Sequence, residues 1–329
     1  MLAKNEYSKL KTVIVGDATG AKVPEMDASL RCVNYADVAD TSSLPGAGLY
    51  PQQVIDEANE DLQTFITFLQ GEGVRVRRPD LQHQPSYYKF CPRDTVFVHG
   101  HNVVYAPMPL IARKEEYMAY TKHFAWSESL KEHRIDISRS EQLYNKDCVG
   151  NKDILALNEI EPCFDAANVL RNNDDIFYLV SNSGNHKGAD ALQELLGTSA
   201  KVHKIEDVYS YLHLDSTIAF LREGLLLVNP SRIRNKDQLP EVLRNWDIIE
   251  APEPVDIGHH PGYCNSSTWI SINLFSINEH LVALEQHQDN LRKILETHKI
   301  ECAMLPMRHA RTLGGCFHCV TLDLERQNV

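Results

Sequence analysis

The stretch DTVFVHGHNVVYAP, residues 94–107, sets an aspartate in front of an apolar segment, a Gly-containing polar turn and a second apolar segment. That order is β-hairpin patterning. It occurs twice more, in DAANVLRNNDDIFYLV (165–180) and DSTIAFLREGLLLVN (215–229), each time headed by an acid. An acid at the same point of each unit puts Asp94, Asp165 and Asp215 at equivalent places in the fold. Units packed about a common axis would bring these carboxylates together, and converging acids need a cation to neutralise them. The chain reads as built to hold a small basic group.

The hairpins sit in larger units. After the Asp165 hairpin, GADALQELL (188–196) has helical spacing, Gly197 breaks it, and AKVHKI returns to a strand pattern. Val54, Ala58, Leu62, Phe65 and Leu69 mark one face of a helix ending at Gly71, followed by the strand Val74–Arg77. STWISINLFSINEHLVALE reads as another hairpin, then a helix around Leu291–Leu295 and the strand IECAMLP; EYSKLKTVIVGD supplies a strand-rich beginning. Five ββαβ units account for most of the chain. Pro/Gly/Ser linkers that would divide it are missing, so 1–329 is expected to be a single domain. A Gly-x-Gly-x-x-Gly turn after a strand is absent too, which removes the dinucleotide-binding reading.

Composition bounds the function. The 329 residues carry a formal net charge of -12, which disfavours nucleic acid and anionic membranes as partners. A run of about 18 apolar residues, the length a spanning helix needs, does not occur. The opening MLAKNEYSKLKTVIVG lacks a secretory apolar core. Eight cysteines are spread without a small-domain disulfide spacing, so a reduced, cytoplasmic setting is expected.

Near the end, RTLGGCFHCVTLD (311–323) offers a nucleophile. Gly314 and Gly315 permit tight backbone where bulkier residues would crowd a bound ligand. A thiol there becomes reactive only if a neighbouring cation or donor stabilises its thiolate, and that cation could be the substrate. A lone cysteine is more often core packing, and Cys302, in an apolar strand, fits that role; Cys316 is read as the impostor beside Cys319. In YLHLDST, strand periodicity puts His213, Asp215 and Thr217 on one face, an imidazole beside a carboxylate. His318, adjacent to Cys319, should point away and is read as structural. His309, Cys316, His318 and Cys319 lack zinc-finger spacing, so a metal is not expected.

Taken together, CPRDTVFV, EPCFDAANVLR, HLDST, VNPSR, SSTWISIN and RTLGGCFHCVTLD resemble, in this order, the motifs of the amidinotransferases, from about Glu6 to Glu325. The resemblance implies a five-bladed α/β-propeller of pseudo-symmetric ββαβ modules. It implies transfer of an amidino group from L-arginine to an amine acceptor, releasing L-ornithine, without a cofactor. By the same resemblance Cys319 is the nucleophile, His213 the general acid/base and Asp165 its partner. Asp94 and Asp215 grip the guanidinium, Arg232 binds the amino-acid carboxylate, and Ser266 and Ser267 add polar contacts. Such enzymes are commonly homodimers.

Departures bear on the acceptor. Ser210, Tyr211 and Leu212 stand where the vertebrate glycine enzyme has Asn-Pro-Met, and Asn168 where it has Asp. Both point to the bacterial enzymes of specialised metabolism. Cys316 replaces a third glycine. Two other readings use the same residues: a guanidine hydrolase that delivers water, and a guanidino-binding protein without catalysis.

Overall fold

The computed structural model describes residues 2–38, 40, 42, 44–125, 128–208 and 212–327. The chain opens with β1 (Leu10–Val15); a short ribbon, β2 (Lys22–Val23) paired with β3 (Gly48–Leu49), then brackets helix α1 (Ala28–Val33). Helix α2 (Gln52–Gly71) leads to β4 (Arg75–Arg77). There follow β5 (Val96–His99), β6 (Asn102–Tyr105) and β7 (Lys131–Arg134), then β8 (Val169–Asn172), β9 (Asp175–Leu179), α3 (His186–Leu196) and β10 (Lys201–Ile205). The last units are β11 (Ile218–Arg222), β12 (Leu225–Val228) and β13 (Asp247–Glu250), then β14 (Phe275–Asn278), β15 (Leu281–Glu285), α4 (Asp289–Thr297) and β16 (Glu301–Leu305). Helix α5 (Ala310–Leu313) and β17 (Thr321–Arg326) close the chain.

Five three-stranded sheets share one plan, an antiparallel pair with a third strand parallel to its middle member. Four are continuous in sequence. The fifth is made by the two ends of the chain, β17 antiparallel to β1 and β1 parallel to β4. Adjacent sheets touch: Arg171 donates to Val98 O, the Phe177 and Phe220 rings stand 5.3 Å apart, and Ser276 Oγ donates to Phe220 O at 3.3 Å. Arg326 then reaches Ser276 O at 2.9 Å, and Arg93 meets Asp323 at 2.8 Å.

The expected helices form where an apolar stripe could be buried. In α2, Val54, Ala58, Leu62, Phe65 and Leu69 all face the core, and Gly73 beyond its end takes φ 76°, which suits glycine. Two of the five units depart from ββαβ. Between β6 and β7, and again between β12 and β13, the crossover is made of short 3-10 turns instead of an α-helix.

A second repeat concerns the site. A 3-10 turn stands before the first strand of four sheets: Pro92–Asp94, Ala166–Asn168, Leu214–Ser216 and Thr268–Ile272. Before β17 the same place is taken by the hydrogen-bonded turn of residues 317–320. The first three 3-10 turns contact one another in sequence, and the third also touches the fourth. Among the described residues, no helix is long and apolar enough to cross a membrane.

Candidate active site

Each turn aims a polar side chain at one place. In Pro92–Asp94 the last residue turns its buried carboxylate inward. Asp94 Oδ2 accepts from Arg113 Nη1 at 2.8 Å, while Oδ1 has no hydrogen-bond partner and lies 3.8 Å from His213 Nδ1. Burial pushes the Asp94 carboxyl above its usual range, against the pull of His213 and Arg113. Asp165, just before the second turn, is fixed by its own N–H to Ser183 O at 2.8 Å. Its Oδ2 meets His213 Nε2 at 3.0 Å, and its Oδ1 is also without a partner.

His213 caps the turn that carries Asp215. The strand expected there is this 3-10 turn, so His213 and Asp215 reach the site by turning inward and not by alternation along a strand. Burial opposes charge on His213, yet Asp94 and the Asp165 hydrogen bond hold it well above the usual imidazole range. Asp215 Oδ2 accepts from the Cys319 thiol at 3.4 Å and pairs with His318 Nδ1 at 2.8 Å; its Oδ1 has no partner. Burial would raise the Asp215 carboxyl, but His318 and the charge of His213 pull it down to about 2.

Cys319 is 2% exposed, at the floor of a cavity of about 510 Å³. Its N–H donates to Asn273 Oδ1 at 3.0 Å, and Asn273 Nδ2 donates to Asp215 O at 3.0 Å. A hydrogen bond with the Cys91 thiol, burial and the Asp215 charge push the Cys319 thiol well up, against a downward pull from His213. That shift favours the neutral thiol at rest.

Asp94, Asp165, His213, Asp215, Cys319, Arg232, Ser266, Ser267 and Leu212 all line this one cavity. Arg232 is braced by Nη1 bonds to Ser216 Oγ at 2.9 Å and Thr217 Oγ1 at 2.8 Å. Leu212 O accepts from Ser183 Oγ at 3.2 Å; Ser210 and Tyr211 lie outside the described residues. Asn168 faces the interior, donating to Ser183 Oγ at 3.0 Å.

Two expectations need correction. Gly314 and Gly315 make room for protein, not for a ligand: a Cβ on Gly315 would stand 2.5 Å from Cys91 Sγ, and one on Gly314 would stand 3.2 Å from Asn265 Cβ. His318 does not point away, because in a turn it reaches Asp215 from behind while Nε2 meets Glu6 at 3.4 Å. Cys316 is fully buried in the core. Sequence reasoning also missed three partners. Asn273 closes the SSTWISIN block and heads the fourth hairpin, so the repeat itself could have flagged it. Cys91 opens CPRD. Arg113, stacked within 5.0 Å of the Tyr88 ring and paired with Glu116 at 2.8 Å, carries no local signal.

Comparison with known proteins follows this geometry. No protein-family model matches the chain. It is 39% identical to inosamine-phosphate amidinotransferase 1 of Streptomyces glaucescens, over 98% of this chain and 95% of that one. The solved inosamine-phosphate amidinotransferase of Streptomyces griseus superposes with a TM-score of 0.94 at 37% identity, covering 100% of this chain and 97% of its own. An amidinotransferase of the saxitoxin biosynthetic pathway from Microseira wollei gives 0.90 at 29% identity, over 100% and 98%. Identity at this level over nearly the whole length shows that the chain belongs to the amidinotransferase family.

Proposed function

We propose that this enzyme transfers the amidino group of L-arginine to an amine acceptor through an amidino-cysteine on Cys319. One observation carries the reading: three buried carboxylates surround a thiol and an imidazole, and each keeps one oxygen, Oδ1, without a partner. A planar guanidinium supplies N–H donors in a fixed fork, which suits carboxylates held in fixed geometry. Its cation also supplies what the resting thiol lacks. At about 4 Å and an effective dielectric of about 20, a unit charge is worth about 4 kcal/mol, which acts to ionise a thiol held high by its Cys91 contact and burial.

In this mechanism the substrate settles against Asp94, Asp165 and Asp215, and the Cys319 proton leaves to solvent. The thiolate attacks the guanidinium carbon. His213, already protonated between Asp94 and Asp165, gives its proton to the departing amine as the C–N bond breaks, and ornithine leaves. The neutral imidazole then takes a proton from the acceptor amine as that amine attacks the amidino-cysteine, and the C–S bond breaks to restore the thiolate. Asp165 orients the ring throughout. Arg232, Ser266 and Ser267 suit the amino-acid end of arginine.

The acceptor class is read from the mouth of the cavity, where Lys152 pairs with exposed Asp37 at 3.6 Å and Arg311 with exposed Asp256 at 2.6 Å. An acceptor bearing an anionic group can exchange for these solvated carboxylates, in keeping with relatives named for inosamine phosphates. We read residues 1–329 as one catalytic unit, its five sheets closed into a five-bladed ring, in a reducing compartment that suits its eight free cysteines. The test is product analysis with L-arginine and a panel of amines: a phosphorylated aminocyclitol, lysine and glycine. Ornithine formed only with an amine supports transfer, whereas citrulline without an amine would mean a hydrolase. Arginine alone should leave one amidino group on Cys319 by intact mass, and the Cys319→Ser variant should carry none.

A further inference from the structure

Cys91 lies beside Cys319, the proposed nucleophile, across Gly315. It is buried in the segment leading into Pro92–Asp94, and Arg93 N donates to Cys319 O at 3.4 Å, so the two chain segments run side by side. Gly315 is what lets the thiols meet. A methyl group there would overlap Cys91 Sγ at 2.5 Å and crowd Cys319 Cβ at 3.1 Å. The Cys91 sulfur and the Cys319 side chain therefore flank the same glycine from opposite segments. Cys319 also lines the open cavity, within reach of a small oxidant.

We propose that Cys91 and Cys319 form a reversible modification site for peroxides, in which Cys91 resolves the oxidised nucleophile as an intramolecular disulfide. The Cys319 thiolate sulfur attacks one oxygen of hydrogen peroxide. An S–O bond forms, the O–O bond breaks, and the released hydroxide takes a proton to become water. The Cys91 sulfur then attacks the sulfenic sulfur, forming the S–S bond and expelling the S–O oxygen, which leaves as water with the Cys91 proton. Two thiols give up two electrons and one peroxide becomes two waters. Without a neighbouring thiol, a sulfenic acid proceeds to sulfinic and sulfonic acids that a dithiol does not reverse. The site thus protects the nucleophile at the cost of switching it off. That loss of activity rests on the assignment of Cys319 above; the cross-link itself does not.

The experiment treats the purified full chain with hydrogen peroxide in the absence of arginine, at a pH raised past the ordinary thiol range so that the Cys319 thiolate forms, and maps non-reduced peptides by mass. A Cys91–Cys319 cross-linked peptide is expected, with turnover lost and then restored by dithiothreitol. In Cys91→Ser and Cys91→Ala the same treatment should inactivate irreversibly, with Cys319 recovered as sulfinic or sulfonic acid. Cys316→Ala should still form the cross-link. Cys319 over-oxidised in the wild type beside reduced Cys91, or cross-linked to Cys316, would overturn the proposal. A cross-linked enzyme with undiminished turnover would instead refute the nucleophile and leave the cross-link standing.

Discussion

Asp94 is bound to one guanidinium, that of Arg113, and in the proposed mechanism serves a second, that of the substrate. Its Oδ2 is committed to Arg113, and only Oδ1 is open to a ligand. Asp94→Asn keeps the shape and one acceptor but removes the charge, so arginine affinity should fall by about 10- to 100-fold, a loss of one charge-assisted contact. Stability should change little by comparison, because Arg113 keeps Glu116. Equal KM for arginine in the variant would break the assignment. The resting charge states give a second prediction. With the Cys319 thiol held well up by its Cys91 contact, burial and Asp215, alkylation by iodoacetamide in the absence of arginine should be slow at pH 7 and climb steeply as pH rises past the ordinary thiol range. His213 works in the opposite sense. Its folded pKa is raised, so the stability its ion pairs contribute is present below about pH 6.5 and lost only as pH rises through that elevated value. A thiol alkylated as fast at pH 7 as at pH 9 would show an ion pair already formed at rest.

At the scale of the element, the site is a property of turns and not of strands. Pro92–Asp94, Ala166–Asn168 and Leu214–Ser216 aim acids inward because a 3-10 turn just ahead of the first strand projects its side chains toward neighbouring turns. The fourth turn, Thr268–Ile272, delivers Asn273, whose amide joins Cys319 N–H to the Asp215 carbonyl. Asn273→Ala should therefore lower kcat by about 10- to 100-fold, the cost of releasing two buried hydrogen bonds at the nucleophile, with KM for arginine moved less. Unchanged kcat in a folded variant would remove Asn273 from the positioning machinery. The hairpins, α2, α3 and α4 were legible because apolar periodicity records which face is buried. Asp94, Asp165 and Asp215 were legible because a repeated acid at a repeated place is itself a pattern. The direction in which His213 and His318 point was not, since a three-residue turn leaves no period to read. Arg113 and Cys91 become neighbours of the site only through contacts between distant segments.

For the whole molecule, what holds the turns in register is a buried charge cluster joining the sheets behind the site. Asp323, in the last strand, is approached by Arg93 at 2.8 Å, Arg171 at 2.5 Å and Arg326 at 2.5 Å. Glu6 balances it, meeting Arg171 at 3.4 Å, Arg93 at 3.6 Å and His318 at 3.4 Å. These residues come from both ends of the chain, from the turn ahead of β5 and from β8, so the cluster forms only when distant parts have assembled. Burial works against ionised Asp323, but the three guanidiniums hold its pKa well below the usual carboxylate range. A depressed folded pKa means its contribution is present above about pH 4 and is lost as the pH falls below that. Asp323→Asn leaves Arg93 and Arg171 sharing Glu6 and Arg326 without its carboxylate partner. Removing one partner from a buried charge pair costs about 3–5 kcal/mol, which in a chain of this size should lower Tm by about 4–7 °C. The loss should narrow at acid pH, where the wild-type carboxylate is itself being protonated. A variant that matches wild-type Tm at pH 7 would mean that the cluster orients the sheets without stabilising them, and its effect should then be sought at Asp215, which His318 links to Glu6.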